Sequence, residues 1–208
     1  RLGAYADTIV EQKRHNPTDD ILSIIVHAQL EDGSPQLDNR ELRAFFALLF
    51  SAGAETTRSS IAGGLVALIE NPHGLERLRS NPTLMKGAVE EIVRWTSPSV
   101  YKRRTTTRDV ELGGQCIRQG QKVTIWEMSA NRDEDEFADP FRFDISRHPN
   151  FHIGFGLGSH FCLGANLARL EIRVVFEELL GRYENFEIVG DREWTNNNRL
   201  VGLAHLPL

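Results

Sequence analysis

The feature that most restricts this chain is a helical pattern running from Asp38, a candidate N-cap, to Ile69, where Asn71-Pro72 stops it. At about 1.5 Å per residue such a rod is roughly 50 Å long and crosses a whole domain. Its middle, Phe45 to Ala54, is apolar on nearly every face. It is therefore expected to be a buried central helix rather than a coiled-coil seam, with core around Gly53. Leu2 to Gln12 already reads as a helix in progress, and residue 1 is Arg, so the chain is expected to begin inside a fold. Residues 18–30 form a second helix, with Thr18 as cap, Ile21, Leu22, Ile24, Ile25 and Ala28 as the apolar stripe, and Asp32-Gly33 as the stop. Asn81-Pro82 opens another helix, which carries Glu90, Glu91 and Arg94 and ends near Ser97-Pro98.

The texture changes after Val100. Up to Trp126 the β-branched residues, the Thr105 to Thr107 run and the Gly113-Gly114 turn predict a small antiparallel sheet. Residues 132–154, rich in Asp, Pro, Arg and His, read as a long ordered loop, a kind that is usually functional. A helix is expected from Cys162 to Gly181, followed by short strands. The expected fold class is mainly α with small antiparallel β-sheets, in one domain over residues 1–208 without repeats or linkers.

Composition narrows the function. With 40% hydrophobic and 25% charged residues, the 208-residue chain can bury a real core, which excludes disorder. A net charge of -5 argues against nucleic acid as the main partner. No uncharged apolar stretch is long enough to span a membrane. The two cysteines, Cys116 and Cys162, fit a reducing cytoplasm and not a disulfide scaffold.

The strongest chemistry lies in residues 155–164, FGLGSHFCLG. Gly156, Gly158 and Gly164 frame Cys162 in a loop whose backbone a flat ligand can approach closely. A cysteine at a helix start favours the thiolate, because the positive helix end and the free N–H groups of the first turn stabilise negative charge. Two other readings stand beside this one. Cys162 as a small buried hydrophobe is the usual fate of a free cysteine, and Cys116, without a glycine frame, exemplifies it. A catalytic nucleophile would need a suitably placed His base, and His160 is too close along the chain to serve.

FGLGSHFCLG resembles the cysteine-ligand loop of the cytochrome P-450 superfamily, F-G-x-G-x-H/R-x-C-x-G, at all six specified positions. Three further segments are similar to family motifs in the family's order. AGAETT, Ala52 to Thr57, resembles the oxygen-activating segment of the family's long central helix. There Ala52 and Gly53 leave room for dioxygen, and Glu55, in place of the more frequent Asp, passes protons with Thr56. Read without the family, Thr56 and Thr57 are as well explained by hydroxyl bonds to the preceding helical turn. Glu91-Ile92-Val93-Arg94 resembles the E-x-x-R pair, whose buried triad Arg142 of DPFRF would complete. Read alone, the pair is a common surface ion pair worth a few tenths of a kcal/mol. Arg104 of YKRRTTT falls where the family pairs an arginine with a haem propionate, and His160 takes the other propionate position. On a strand the neighbouring Arg103 would face the other way.

The resemblance implies the C-terminal part of the cytochrome P-450 fold, with its long central helix, its E-x-x-R helix and its cysteine loop and helix. It implies haem b bound through Cys162, with Phe155, Gly156, Gly164, Ala52 and Gly53 beside it. The activity implied is insertion of one oxygen atom into a lipophilic molecule by a bacterial, soluble-type enzyme. VRWTSPSVYKRRT and GANLARLEIR point towards sterols, terpenoids or methyl-branched lipids, touched by Leu49, Ala52, Val100 and Leu200. Electrons would come from a ferredoxin and its NAD(P)H-dependent reductase, because the chain has no flavin or iron–sulfur motif. Arg169, seven residues past Cys162, would meet the donor if it is not simply a solvated charge. The competing readings are a truncated haem-binding module without turnover and a peroxide-using or rearranging enzyme. The acid and threonine pair, Glu55 and Thr56, speaks against the last of these.

Overall fold

The computed structural model describes residues 2–208, which divide into two compact units, 2–55 and 56–208. In the first unit, α1 (Leu2–His15) packs with α2 (Ile21–Val26) and with the start of α3 (Asn39–Glu70). Tyr5 meets Phe46 edge to face at 5.9 Å, and Arg43 grips Asp7 with two 2.8 Å bonds. Asp38 and Glu41 form a reciprocal capping box at the start of α3: each side chain accepts the other's backbone N–H at 2.8 Å. The cap of α2 is Asp20, which accepts from Ser23 N–H at 2.8 Å, and not Thr18. Both Thr18 and Asp20 are cap formers, and the chain bends two residues later than the composition suggests.

In the second unit α3 continues, followed by α4 (Pro72–Ser80), a short 3₁₀ turn and α5 (Met85–Thr96). Here α3 and α5 approach closely because Gly64 has no side chain. A Cβ there would lie 2.7 Å from Ile92 Cγ2. Around this contact Leu65, Leu68, Leu78, Ala88, Val89, Ile92, Phe143, Ile145, Ile172 and Phe176 form the core. The last two belong to α7 (Ala165–Arg182).

The core does not lie around Gly53. Leu48 and Phe50 are 60% and 62% exposed, and Ala52, Gly53 and Ala54 are exposed as well. Apolarity shows that a surface gains from being covered, but it does not supply the covering element. The longest run of buried apolar residues on α3 is Leu65 to Leu68, in the second unit.

Three two-stranded antiparallel sheets complete the unit. β1 (Tyr101–Thr105) pairs with β4 (Lys122–Trp126), and β2 (Val110–Leu112) pairs with β3 (Gln115–Ile117). Gly113 and Gly114 turn the second hairpin with φ of 55° and 75°, the double positive φ that a tight two-residue turn requires. β5 (Glu193–Trp194) pairs with β6 (Leu203–His205). A one-turn helix, α6 (Glu127–Ala130), follows β4 and leads into the long loop.

Candidate functional site

The loop is ordered by a buried polar network centred on α5. Arg94 makes five hydrogen bonds, enough for each guanidinium N–H: to Glu91 Oε2 (2.7 Å) and Oε1 (2.8 Å), and to the carbonyls of Asn131 (2.8 Å), Pro140 (2.9 Å) and Arg142 (3.2 Å). Glu91 also accepts from Asp144 N–H (2.8 Å), Asn150 Nδ2 (3.1 Å) and Arg147 Nε (3.2 Å). Both members of the pair are 0% exposed, so removing either would leave the other's charge buried without its main counter-charge. The third member of the group is not Arg142 but Arg147, whose guanidinium reaches Glu91. Arg142 contributes its carbonyl while its side chain is exposed, because the bend at Asp144–Ser146 turns the next arginine back towards α5.

Asn131, also 0% exposed, ties the ends of the loop together. Its amide donates to Ser97 Oγ (2.9 Å) and accepts from Ile153 N–H (2.8 Å). Sequence reasoning missed both Arg147 and Asn131. Their one signal was membership of a polar loop too long to be structureless.

Beyond Ile153 the chain makes a hairpin-like excursion. Gly156 and Gly158 adopt φ of 73° and 66°, values that a residue with a Cβ rarely takes. Cys162 N–H donates to Phe155 O at 2.8 Å and closes the excursion. The thiol is exposed, which removes the buried-hydrophobe reading. Cys116, on β3, is exposed too, so it does not exemplify a buried cysteine either. Nor does Cys162 begin the helix: α7 starts at Ala165 with Gly164 as cap, and Cys162 O accepts Ala165 N–H at 3.2 Å. Leu163 and Gly164, the two residues between Cys162 and the helix, belong to a turn.

The other candidates are placed as follows. Phe155, Gly156, His160, Cys162 and Gly164 share the one loop, with His160 exposed at the end of a 3₁₀ turn. Arg104 is exposed on β1 opposite Val123, and the strand alternation sends Arg103 to the other face. Val100 and Leu200 lie on facing segments, joined by the Ser99–Leu200 bridge and by Val100 N–H bonded to Arg199 O at 3.0 Å. On α3 the spacing of Leu49, Ala52, Gly53 and Thr56 is that of a single helical stripe, with Glu55 next to it. Arg169, its side chain 32% exposed, is already paired within the chain. Its Nε and Nη2 grip Glu90 at 2.7 and 3.0 Å, and its guanidinium lies 4.4 Å from the Phe155 ring centre.

Electrostatics follow from these contacts. Burial pushes the Glu90 carboxyl up, but hydrogen bonds from His152 and Arg169 outweigh it and hold the group down at about 2. For Glu127, 2% exposed, burial wins over the nearby Lys102 and pushes the carboxyl up.

The sequence matches the family model for cytochrome P450 over residues 3–207. The chain belongs to the cytochrome P450 family. It is 58% identical over 207 residues to a Mycobacterium tuberculosis cytochrome P450 numbered 126, in an alignment covering 99% of this chain and 50% of that protein. It is 53% identical over 180 residues to a methyl-branched lipid omega-hydroxylase of Mycobacterium bovis, covering 86% of this chain and 42% of that one. A Mycobacterium marinum cytochrome P450 solved with pseudoionone superposes with a TM-score of 0.93 at 41% identity, covering 99% of this chain and 50% of that chain. The chain thus spans about half the length of the curated relatives it matches.

Cytochrome P450 proteins bind haem. The loop's chemistry fits such a group. It offers an exposed thiol, backbone freed of side chains at Gly156 and Gly158, and apolar Leu157, Phe161 and Leu163 exposed at 70%, 51% and 69%. No described helix is long and apolar enough to cross a membrane.

Proposed function

We propose that the protein carrying this chain is a haem-thiolate monooxygenase that hydroxylates a lipophilic molecule, a methyl-branched lipid by preference, with Cys162 Sγ as the iron ligand. The observation that carries this is the exposed Cys162 thiol, presented by a glycine-framed loop and braced by its own N–H on Phe155 O at 2.8 Å. When bound, haem b supplies dioxygen activation, with electron donation from the thiolate favouring O–O cleavage.

The remaining tasks fall to the chain's own residues. Arg104 and His160 pair with the carboxylates of the group, and the bare backbone at Gly156 and Gly158 admits its close approach. Ala52 and Gly53 keep one stretch of α3 free of bulk. The Thr56 hydroxyl and the Glu55 carboxylate move protons, and Leu49, Val100 and Leu200 touch the substrate. Glu91, Arg94 and Arg147 hold the loop in register and take no part in chemistry. The lipid preference rests on the omega-hydroxylase relative, which is 53% identical. Electrons come from a ferredoxin with its NAD(P)H-dependent reductase, and the protein works in the cytoplasm.

The test is the absorption spectrum of the haem-loaded protein, reduced and exposed to carbon monoxide, beside Cys162→Ala. The thiolate band is expected in the wild type and absent from the variant; its absence from both removes Cys162 as ligand. Turnover of a methyl-branched fatty acid is then compared with ferredoxin, reductase and NADH and with peroxide alone. Product with peroxide only would displace the ferredoxin-dependent reading, and a thiolate band without product from either source would leave a haem-binding module.

A further inference from the structure

Arg169 and Glu90 join α7 to α5, and a third residue, His152 of the long loop, meets them on the same carboxylate. The Arg169 fork takes both oxygens of Glu90, at 2.7 and 3.0 Å. His152 is almost fully buried, its side chain 3% exposed. Its Nδ1 accepts Gly154 N–H at 3.2 Å, so Nε2 carries the proton and donates to Glu90 Oε2 at 3.0 Å. The bonds at one end of the ring thereby set the tautomer needed at the other.

The consequence reaches Cys162 through Phe155. With the Nε–Nη2 edge of its guanidinium held by both oxygens of Glu90, Arg169 presents its face to the Phe155 ring at 4.4 Å, a cation–π contact that fixes the ring from one side. The His152 ring lies 5.8 Å from the same aromatic ring, centre to centre. The backbone of Phe155 accepts the Cys162 N–H at 2.8 Å. Glu90 thus orients a cation, the cation orients Phe155, and Phe155 holds the backbone that carries the thiol.

We infer that Glu90, Arg169 and His152 form a clamp that positions Cys162 for iron, with Arg169 acting as a positioning residue and not as a docking cation. The inference rests on the assignment of Cys162 as ligand. An ordinary surface ion pair does not account for the arrangement, because one edge of the guanidinium is held by Glu90 while one face lies on Phe155 of the cysteine loop. Groups that orient a metal ligand typically change metal affinity by 10–100-fold when removed.

The test uses the haem-loaded protein at its full natural length, as wild type, Arg169→Met, Arg169→Lys, Glu90→Gln and Arg182→Met. Arg182 pairs with Glu178 on the same helix and controls for the loss of an ordinary α7 ion pair. In Arg169→Met and Glu90→Gln, haem loss to an acceptor protein should quicken about tenfold. The share of the reduced carbon monoxide complex outside the thiolate band should rise severalfold, and the reduction potential should move. Arg169→Lys keeps the charge but not the fork and should fall between. Arg182→Met should match the wild type in all three readouts. A wild-type spectrum and potential in both Arg169→Met and Glu90→Gln would overturn the clamp, as would equal changes in Arg182→Met. If Arg169→Met does not fold, Glu90→Gln, which keeps the carboxyl's shape, decides alone. A wild type without a thiolate band would instead overturn the assignment of Cys162 on which the clamp depends.

Discussion

The Arg147 side chain is 8% exposed, with Nε 3.2 Å from Glu91, and it also donates to the carbonyls of Ala138 and Arg142. Its removal would leave Glu91, buried at 0%, with one cation in place of two. Arg147→Met is expected to lower stability by about 3 kcal/mol. Arg142→Met, which leaves the carbonyl bonded to Arg94 intact, should change it by less than about 0.5 kcal/mol. Urea unfolding of both variants measures the contrast, and equal losses would return Arg142 to the triad. Glu90 adds a prediction in pH. Its carboxyl sits at about 2 in the fold against an ordinary 4.5. Between these values the unfolded chain binds more protons, so stability present above pH 4.5 is lost as pH falls towards 2. The gap in unfolding free energy between wild type and Glu90→Gln should therefore be widest near neutrality and narrow by roughly 2–3 kcal/mol on acidification through that window. A gap constant with pH would mean that the charge of Glu90 is not what stabilises. The i, i+3 spacing of Glu91 and Arg94 made their pairing on one helix face legible, while their burial came only from the resemblance to the family's E-x-x-R segment. Arg147 was not legible, because which arginine of a loop reaches back depends on the turn at Asp144, and no local periodicity records that turn.

Among the elements, α5 shows how backbone contacts fix the loop. A Cβ on Gly87 would lie 2.7 Å from Ile145 O, a backbone atom that cannot swing aside, and Ile145 itself is 1% exposed. Gly87→Ala gains about 1 kcal/mol in helix propensity but forces this contact apart at a cost of about 1–3 kcal/mol. A net loss is expected, with a lower thermal midpoint. On α4, Gly74→Ala meets only Asn71 Cβ at 3.9 Å and should gain up to about 1 kcal/mol. A stabilised Gly87→Ala would show that the loop is not seated on α5. The boundaries of these elements were read less well than their existence. Pro72 reads as a stop, but it also occupies the first turn of α4, where its missing N–H costs nothing, so one proline both ends a helix and starts another. Cys162 reads as a helix start, because glycine-rich turns and helix N-termini look alike until the cap, Gly164, is located.

For the whole molecule, order of motifs along the chain made the family legible, whereas burial was not legible where it depends on what covers a surface. Phe45 to Ala54 shows this, since its apolar faces are real but largely exposed. The cysteine loop, Arg104 and His160 all lie within residues 56–208, and so do the three tryptophans, Trp95, Trp126 and Trp194. Near-ultraviolet circular dichroism of the tryptophans therefore follows the unit that carries Cys162. A ligand that binds only the folded state at 100 times its dissociation constant adds about 2.7 kcal/mol. Each kcal/mol raises the midpoint of a domain of this size by about 2–4 °C. Excess haem should thus raise the tryptophan-detected midpoint of the wild type by about 5–10 °C. In Cys162→Ala the iron–sulfur bond is lost while apolar and carboxylate contacts remain, so the rise should be clearly smaller but not zero. Equal shifts in the two proteins would mean that haem binds without Cys162. No shift in either would mean that this unit does not hold the group, and the assignments of Arg104 and His160 would fail with that of Cys162.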